Sequence, residues 1–380
     1  MGDREKHVKG LGALVLGALA ASAMAQSTGR ATSDQRDPRV VWQYPFDTKG
    51  SHTAPLVLDS LVVFGTRAGV FVALDRRTGT LRWKSSVLPP GEPITGHVMA
   101  TAGGRVLAPA MRVVALDLTD GKAAWEFNPS PDDPGDESIV VAGSVALGTA
   151  TSGWLYAFDP LTGLERWRRD IGERPFGLVA SGERVYLGTR GRFSGGLGAG
   201  HLLAINAGDG SEVWRVPVPD LPGAPYTGGS IGFPAILPDR IVFTTCAGSV
   251  YAVRPETGDT IWTHTSGVGT AGGYYLGPAS LGTIVVAIRR DGRVAGLDPA
   301  SGREVWSLMI GGAAVGPATD GVRTFVSDGR LLAITASGAI AWRFPTRVTS
   351  EDYIGQPPAV RDGIVYVAGP NALLALRAYP

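Results

Sequence analysis

The sequence predicts an all-β fold: an eight-bladed propeller of four-stranded antiparallel blades. Three observations predict it. The first is a recurring strand–turn–strand element, clearest at residues 157–167, where Ala-Phe-Asp-Pro-Leu-Thr-Gly leads to Trp167. Related copies end at Trp83, Trp125, Trp214, Trp262, Trp306 and, shortened, Trp342. The second is spacing: from Trp42 onward, successive members of this set lie 41, 42, 42, 47, 48, 44 and 36 residues apart. A period of about 40–50 residues built from short strands is the signature of propeller blades. The third is a split repeat. Trp42 has no strand–turn before it, and Ala375-Leu376-Arg377 has no Trp after it. The two halves complete one blade, so the N-terminal strand is expected to close the ring.

The chain begins with a segment that is not part of that fold. Arg4, Lys6 and Lys9 precede an apolar run from Leu11 to Ala21, and Ala23-Met24-Ala25 follows. That three-part pattern predicts a secretory signal peptide over 1–25, with an apolar stretch too short to span a membrane. Residues 26–38 are polar, without periodicity, and read as a flexible leader. The propeller occupies 39–380. The single cysteine, Cys246, leaves no intramolecular disulfide and no lipid-bearing cysteine beside the cleavage site. Residues 1–25 hold three basic and two acidic side chains, which leaves 32 of each sign in the remainder. A balanced charge argues against nucleic acid or an anionic membrane surface as the main partner.

Each blade then follows one plan. Strand A is short and often enters through Pro, as at Pro55, Pro234, Pro278, Pro317 and Pro358. Strand B is apolar and β-branched, as in Leu61-Val62-Val63-Phe64 and Ile364-Val365-Tyr366-Val367, residues that favour a buried pleated surface. Strand C ends in the Ala-x-Asp element. The following turn carries Asp, Pro, Thr or Gly for steric and hydrogen-bonding reasons, and strand D carries the Trp. No segment after residue 38 has a helical period of useful length. Insertions gather in two connections: from D to the next A, as in 216–231 and 263–275, and from B to C, as in 190–200. In an up-and-down blade these lie on one face of the disc, the expected binding face.

The Ala-x-Asp-x-x-Thr-Gly-x-x-x-Trp element, nearly complete at 73–83 and 157–167, resembles the PQQ-like (quinoprotein-type) repeat family. No Trp is followed by Asp, unlike the tryptophan–aspartate propellers. The resemblance implies that the eight repeat Trp residues are structural, each packing one blade on the next. It also implies two functional branches. One comprises quinone-dependent dehydrogenases using PQQ and calcium. The other binds no cofactor and includes the lipoprotein that scaffolds outer-membrane β-barrel assembly, similar in length and blade number but bearing a lipidated cysteine. The adjacent cysteine pair and the large insertions of the dehydrogenases have no counterpart here.

Candidate site residues are few. His52, His97 and Asp136 occupy equivalent crossover positions of three consecutive blades, and with Glu137 they could converge near the channel mouth. The alternative is a set of solvated loop residues without metal-ligand spacing. Arg67, Arg190, Arg192, Arg289 and Arg290 could present positive charge on the loop-rich face, or simply be scattered solvated charges. Trp154, outside the repeat position, starts strand C of blade three near the same face. The Gly195-Gly196-Leu197-Gly198 stretch has no helix to follow and reads as a loop. The expectation is an exported monomer, periplasmic or extracellular, that is more a protein-binding scaffold than an enzyme and carries no cofactor. A small PQQ- and calcium-dependent dehydrogenase or a ligand-sensing propeller are the alternatives.

Overall fold

The computed structural model describes residues 37–46, 51, 53–89, 94, 96–128, 135–190, 200–218, 233–245, 248–265, 277–289, 291–311, 315–327, 329–346, 357–369 and 371–379. Among them there is no helix, and hence none long and apolar enough to cross a membrane. The strands form eight sheets, and each contains one up-and-down blade ordered A to D.

Blade one is Leu56–Val57, Leu61–Gly65, Phe71–Asp75 and Leu81–Ser85. Blade two is Ala100–Ala102, Arg105–Pro109, Val113–Asp117 and Ala123–Phe127. Blade three is Gly135–Ala142, Val145–Ala150, Trp154–Phe158 and Glu165–Asp170; blade four is Arg174–Ser181, Arg184–Arg190, Gly200–Asn206 and Glu212–Val218. Blade five is Ala235–Leu237, Arg240–Thr244, Ser249–Val253 and Thr260–Thr265; blade six is Ala279–Ser280, Val285–Ile288, Arg293–Leu297 and Glu304–Met309. Blade seven is Val315–Thr319, Arg323–Ser327, Arg330–Thr335 and Ile340–Pro345. Blade eight takes A, B and C from Ala359–Arg361, Ile364–Ala368 and Ala372–Arg377, and D from the N-terminal strand Val40–Pro45. Several A strands of successive blades approach one another, which places the A edge at the hub and the D edge at the rim.

Strands B and C are buried along most of their length, whereas strand D alternates buried and exposed residues. The sequence dictates this. The β-branched and aromatic runs of B and C are covered by a blade on either side, while D has one face on a neighbour and one in water. Eight apolar clusters result, and each joins two successive blades. Complete burial of one such side chain contributes about 1.5–3 kcal/mol, so the seams between blades are the core.

The repeat Trp sits at each seam. Except at Trp125, its indole Nε1 donates to a carbonyl of the next blade just past strand C: Trp42 to Arg76 at 2.9 Å, Trp83 to Leu118 at 2.9 Å, Trp167 to Ala207 at 3.0 Å, and Trp306 to Ala336 at 2.7 Å. Its ring lies against the glycine of the C–D turn there. A Cβ on Gly121 would fall 2.5 Å from the Trp83 ring, and Gly121 has φ +73°. Only glycine offers both that conformation and that approach. In three blades an Arg opening strand B donates to the same oxygen as the Trp. Arg184 (3.2 Å) and Trp214 (2.9 Å) share the Pro255 carbonyl, and Arg323 (2.6 Å) and Trp342 (2.9 Å) share that of Ala378. Arg240 and Trp262 share that of Pro299.

Two details depart from the sequence reading. A short strand, Gly96–Val98, joins blade three in parallel as a fifth member beyond strand A. Pro317 does not open its strand. It lies inside Val315–Thr319 at a register shift between Val315 and Ala318, where a missing N–H costs no ladder bond.

Candidate partner-binding face

Strands B and D run toward the same face of the disc, so the B–C connections and the D-to-A crossovers emerge there together. Three crossovers lie side by side on the described part of this face. The Ala54 amide donates to the His97 carbonyl at 2.9 Å, and Gly96 and Val98 pair with Glu137 and Ser138 of blade three. The segments carrying His97 and Asp136-Glu137 are therefore adjacent in the backbone. His52 and the side chains of Asp136 and Glu137 lie outside the described residues. The sequence reading put Asp136 and Glu137 in a loop. Their backbone instead belongs to strand A of blade three, where Asp136 pairs with Thr149 and Glu137 with Gly96. Pairing on both sides overrides the Pro and Gly punctuation around them. His97 likewise lies in a short strand and is half-buried.

The arginines separate. Arg67 is exposed on the B–C turn of blade one. Arg190 ends strand B of blade four opposite Arg174, and its side chain lies outside the described residues, as do Arg192 and Arg290. Arg289 is not on the surface as a solvated charge. It is only 6% exposed, and its guanidinium meets the Asp291 carboxylate at 2.7 Å within the B–C turn of blade six. The turn folds its own carboxylate back over the arginine, so the charge is spent locally. Trp154 opens strand C of blade three, is half-buried, and packs with the cluster between blades two and three, its ring 6.3 Å from Tyr156. Cys246 and residues 191–199 lie outside the described residues.

One polar group on this face was not singled out from the sequence. Glu173, in the crossover from blade three to four, receives the hydroxyl of Thr189 and lies 2.7 Å from Nδ1 of His201 and 3.6 Å from Arg215. Thr189 is fully buried and also accepts the His201 amide at 2.8 Å. Thr189 and His201 stand at the two ends of the long B–C loop of blade four, so Glu173 ties its neck to the neighbouring crossover. No local pattern marks this group, because its members come from three separate stretches of the chain.

A quinone–calcium site needs convergent oxygen ligands and a base. The described residues contain no group of three or more His, Cys, Asp or Glu side chains that could hold a metal ion. Glu173 with His201 comes nearest to acid–base geometry, but its carboxylate is engaged by Thr189 and Arg215. The described residues alone do not fit that group.

Comparison with known proteins bears on the same choice. The model of a family described as outer membrane protein assembly factor BamB matches residues 7–131, 110–275 and 290–379. The chain is 28% identical over 334 residues to outer membrane protein assembly factor BamB of Xanthomonas campestris, covering 70% of this chain and 78% of that protein. It is 28% identical over 283 residues to the dehydrogenase subunit of the quinone alcohol dehydrogenase of Acetobacter aceti, covering 62% of this chain and 37% of that protein. A match to BamB of Shewanella oneidensis is 30% identical over 158 residues, 37% of this chain and 38% of that one. The chain thus spans less than two fifths of the length of these last two relatives. Among solved structures, BamB from Moraxella catarrhalis superposes with a TM-score of 0.70 at 18% identity, covering 89% of this chain and 97% of that one. Quinohemoprotein alcohol dehydrogenase from Comamonas testosteroni gives 0.66 at 15% identity, covering 89% and 76%. At such identities the superpositions establish the propeller and nothing finer.

Proposed function

Because the chain belongs to the outer membrane protein assembly factor BamB family, we propose that it is an exported, non-catalytic propeller scaffold that binds a protein partner through its loop-rich face during outer-membrane protein assembly. The observation that carries this reading is the extent of the family match, which spans both ends of the ring and nearly every blade. The face itself supports it. Crossovers of three blades are knitted together by backbone hydrogen bonds, and the neck of the one long B–C loop is tied down by Glu173, Thr189 and His201. A surface held this way presents loops at little entropic cost on binding. Export through a cleaved signal peptide over 1–25 belongs to the same proposal, as does a monomeric state.

The second reading is a PQQ-dependent dehydrogenase, favoured by the similarity to quinone alcohol dehydrogenases. One experiment separates the two. Residues 26–380, immobilised, are incubated with detergent-solubilised outer membrane, and the same preparation is assayed with PQQ, calcium and an electron-accepting dye. The scaffold reading expects retention of the β-barrel assembly machinery, weakened by Arg67→Glu, and no turnover. Dye-linked turnover that disappears in Asp136→Ala or Glu137→Ala, with no assembly component retained, would overturn it.

A further inference from the structure

We propose that the rim of blades five and six is an open edge that takes an extended segment of a partner polypeptide as an added β-strand. Among the described residues every strand D has one unpaired edge, and such an edge is a template for another chain unless it is guarded. The guards are visible on six blades. The exposed row of strand D holds Arg82 and Lys84 in blade one, Glu126 in two, Arg166 in three, Pro217 in four, Arg343 in seven and Pro45 in eight. Blades five and six are adjacent, and in neither does the row itself carry a charged residue or a Pro. Their rows are Ile261, Thr263 and Thr265, then Val305, Ser307 and Met309. These are uncharged, and most are β-prone. Val305 is 48% exposed and Met309 is 66% exposed, which puts two apolar side chains at alternating positions of one edge strand in water.

The occupant follows from length and charge. Strand Glu304–Met309 has six residues, which is about 20 Å at about 3.4 Å per residue. Two folded discs meeting along so short a line would bury far less than the roughly 1,200 Å² a specific dimer needs, so a second copy is the poorer fit. An extended segment needs only the main-chain ladder and alternating apolar side chains to set against Val305 and Met309. Exposed cations stand on the blade-six side of this rim, and the exposed Asp259 stands on the blade-five side. Arg303 is exposed at the start of the strand, and Arg343 is exposed on the next rim. Arg293 meets Glu304 at 2.6 Å and Ser307 Oγ at 3.1 Å, with Glu304 and Asp298 as the neighbouring carboxylates. The segment that fits alternates apolar and polar residues and has acidic flanks. The rim lies apart from the loop-rich face, so this inference stands or falls independently of the function proposed above.

The test uses residues 26–380 and a synthetic peptide of about ten residues, alternating Val and Thr and ending in Asp on both sides. Binding is followed by fluorescence anisotropy and by backbone hydrogen exchange. The expected result is saturable binding with slowed exchange confined to 260–265 and 304–309. Val305→Lys and Ser307→Lys place a guard on the edge and should weaken binding about tenfold at unchanged thermal midpoint, while Val305→Thr should retain it. The same peptide with Lys flanks should bind more weakly. Equal binding to the lysine variants, or protection elsewhere on the ring, overturns the proposal. So does concentration-dependent self-association that protects these amides without peptide, because it gives the edge to a second copy.

Discussion

A repeat Trp acts through two contacts that can be separated by mutation. The ring fills the seam, and the indole N–H holds the next turn. Trp83→Ala removes both and should cost about 3–5 kcal/mol, read as a lower denaturation midpoint. Gly121→Ala attacks the same seam from the other side. Its Cβ would lie 2.5 Å from the Trp83 ring on a backbone at φ +73°, so it should cost about 2 kcal/mol or more. In a Trp83→Ala background the clash is gone, and only the backbone strain of about 1–2 kcal/mol should remain. Strict additivity of the two changes would show that ring and glycine are not coupled. Trp125 supplies a second contrast, because its buried Nε1 has no hydrogen-bond partner among the described residues. Trp83→Phe strands the Leu118 carbonyl, whereas Trp125→Phe strands nothing, so the first should cost about 1 kcal/mol more. Equal costs in urea denaturation would remove the indole hydrogen bond from the account.

At the scale of the element, the C–D turn is held by its carboxylate. Asp75 accepts the amides of Arg77 and Thr78 at 3.0 Å and meets Arg82 at 2.6 Å; Asp159 accepts those of Leu161 and Thr162 and pairs with Arg166. Burial works to raise the Asp75 pKa, but Arg82 and the Thr78 and Arg77 donors outweigh it and hold the group at about 2. Arg166, then the turn amides, likewise hold Asp159 at about 2. Folded values below the unfolded value of about 3.9 mean that the unfolded chain binds these protons first. The turns therefore contribute their full stability above about pH 4 and lose it as pH falls toward 2. The thermal midpoint should drop across that window. It should drop less in Asp75→Asn and Asp159→Asn, whose midpoints at neutral pH start lower. A midpoint flat from pH 5 to pH 2 in the parent protein would contradict the role given to these turns.

The same turns show why the fold was legible in the sequence. Asp, Thr, Gly and Trp act within one local element, so their spacing alone reveals the blade. What escaped reading depends on contacts between distant stretches. Gly96–Val98 has no strand-like alternation and is a strand only because blade three offers it an edge. Asp136 and Glu137 follow Pro134-Gly135, which marks a turn, yet tertiary pairing extends the strand through them. Arg289 reads as a surface charge until the turn brings Asp291 back over it. The candidate face was legible only as a place, from where insertions gather. The Glu173–Thr189–His201 tie that organises it has no sequence signature.

At the scale of the whole molecule, the ring is only as strong as its closure. The closing strand pairs antiparallel with the last one, from Val40 opposite Leu376 to Pro45 opposite Ala372. Bonds at both ends extend the ladder: the Arg377 amide donates to the Arg39 carbonyl at 2.8 Å, and the Phe46 amide to Asn371 at 2.9 Å. The strand also serves two seams. Trp42 and Tyr44 fill the one between blades eight and one, and the Arg39 guanidinium lies 5.4 Å from the centre of the Trp342 ring at the one between seven and eight. Deleting residues 39–46 therefore does more than shorten a sheet. It strips the outer strand of blade eight, exposes the edge of Ala372–Arg377, and removes the indole that holds the Arg76 carbonyl. An exposed apolar edge of this kind invites association between chains. The deletion should lower the thermal midpoint of the entire transition, not of one blade, because each seam is shared by two neighbours and opening one unseats both. It should also aggregate on heating, and a synthetic peptide of residues 37–46 added in trans should restore part of the midpoint. A deletion variant that melts at the parent temperature and stays monomeric would mean that the ring is not closed through this strand.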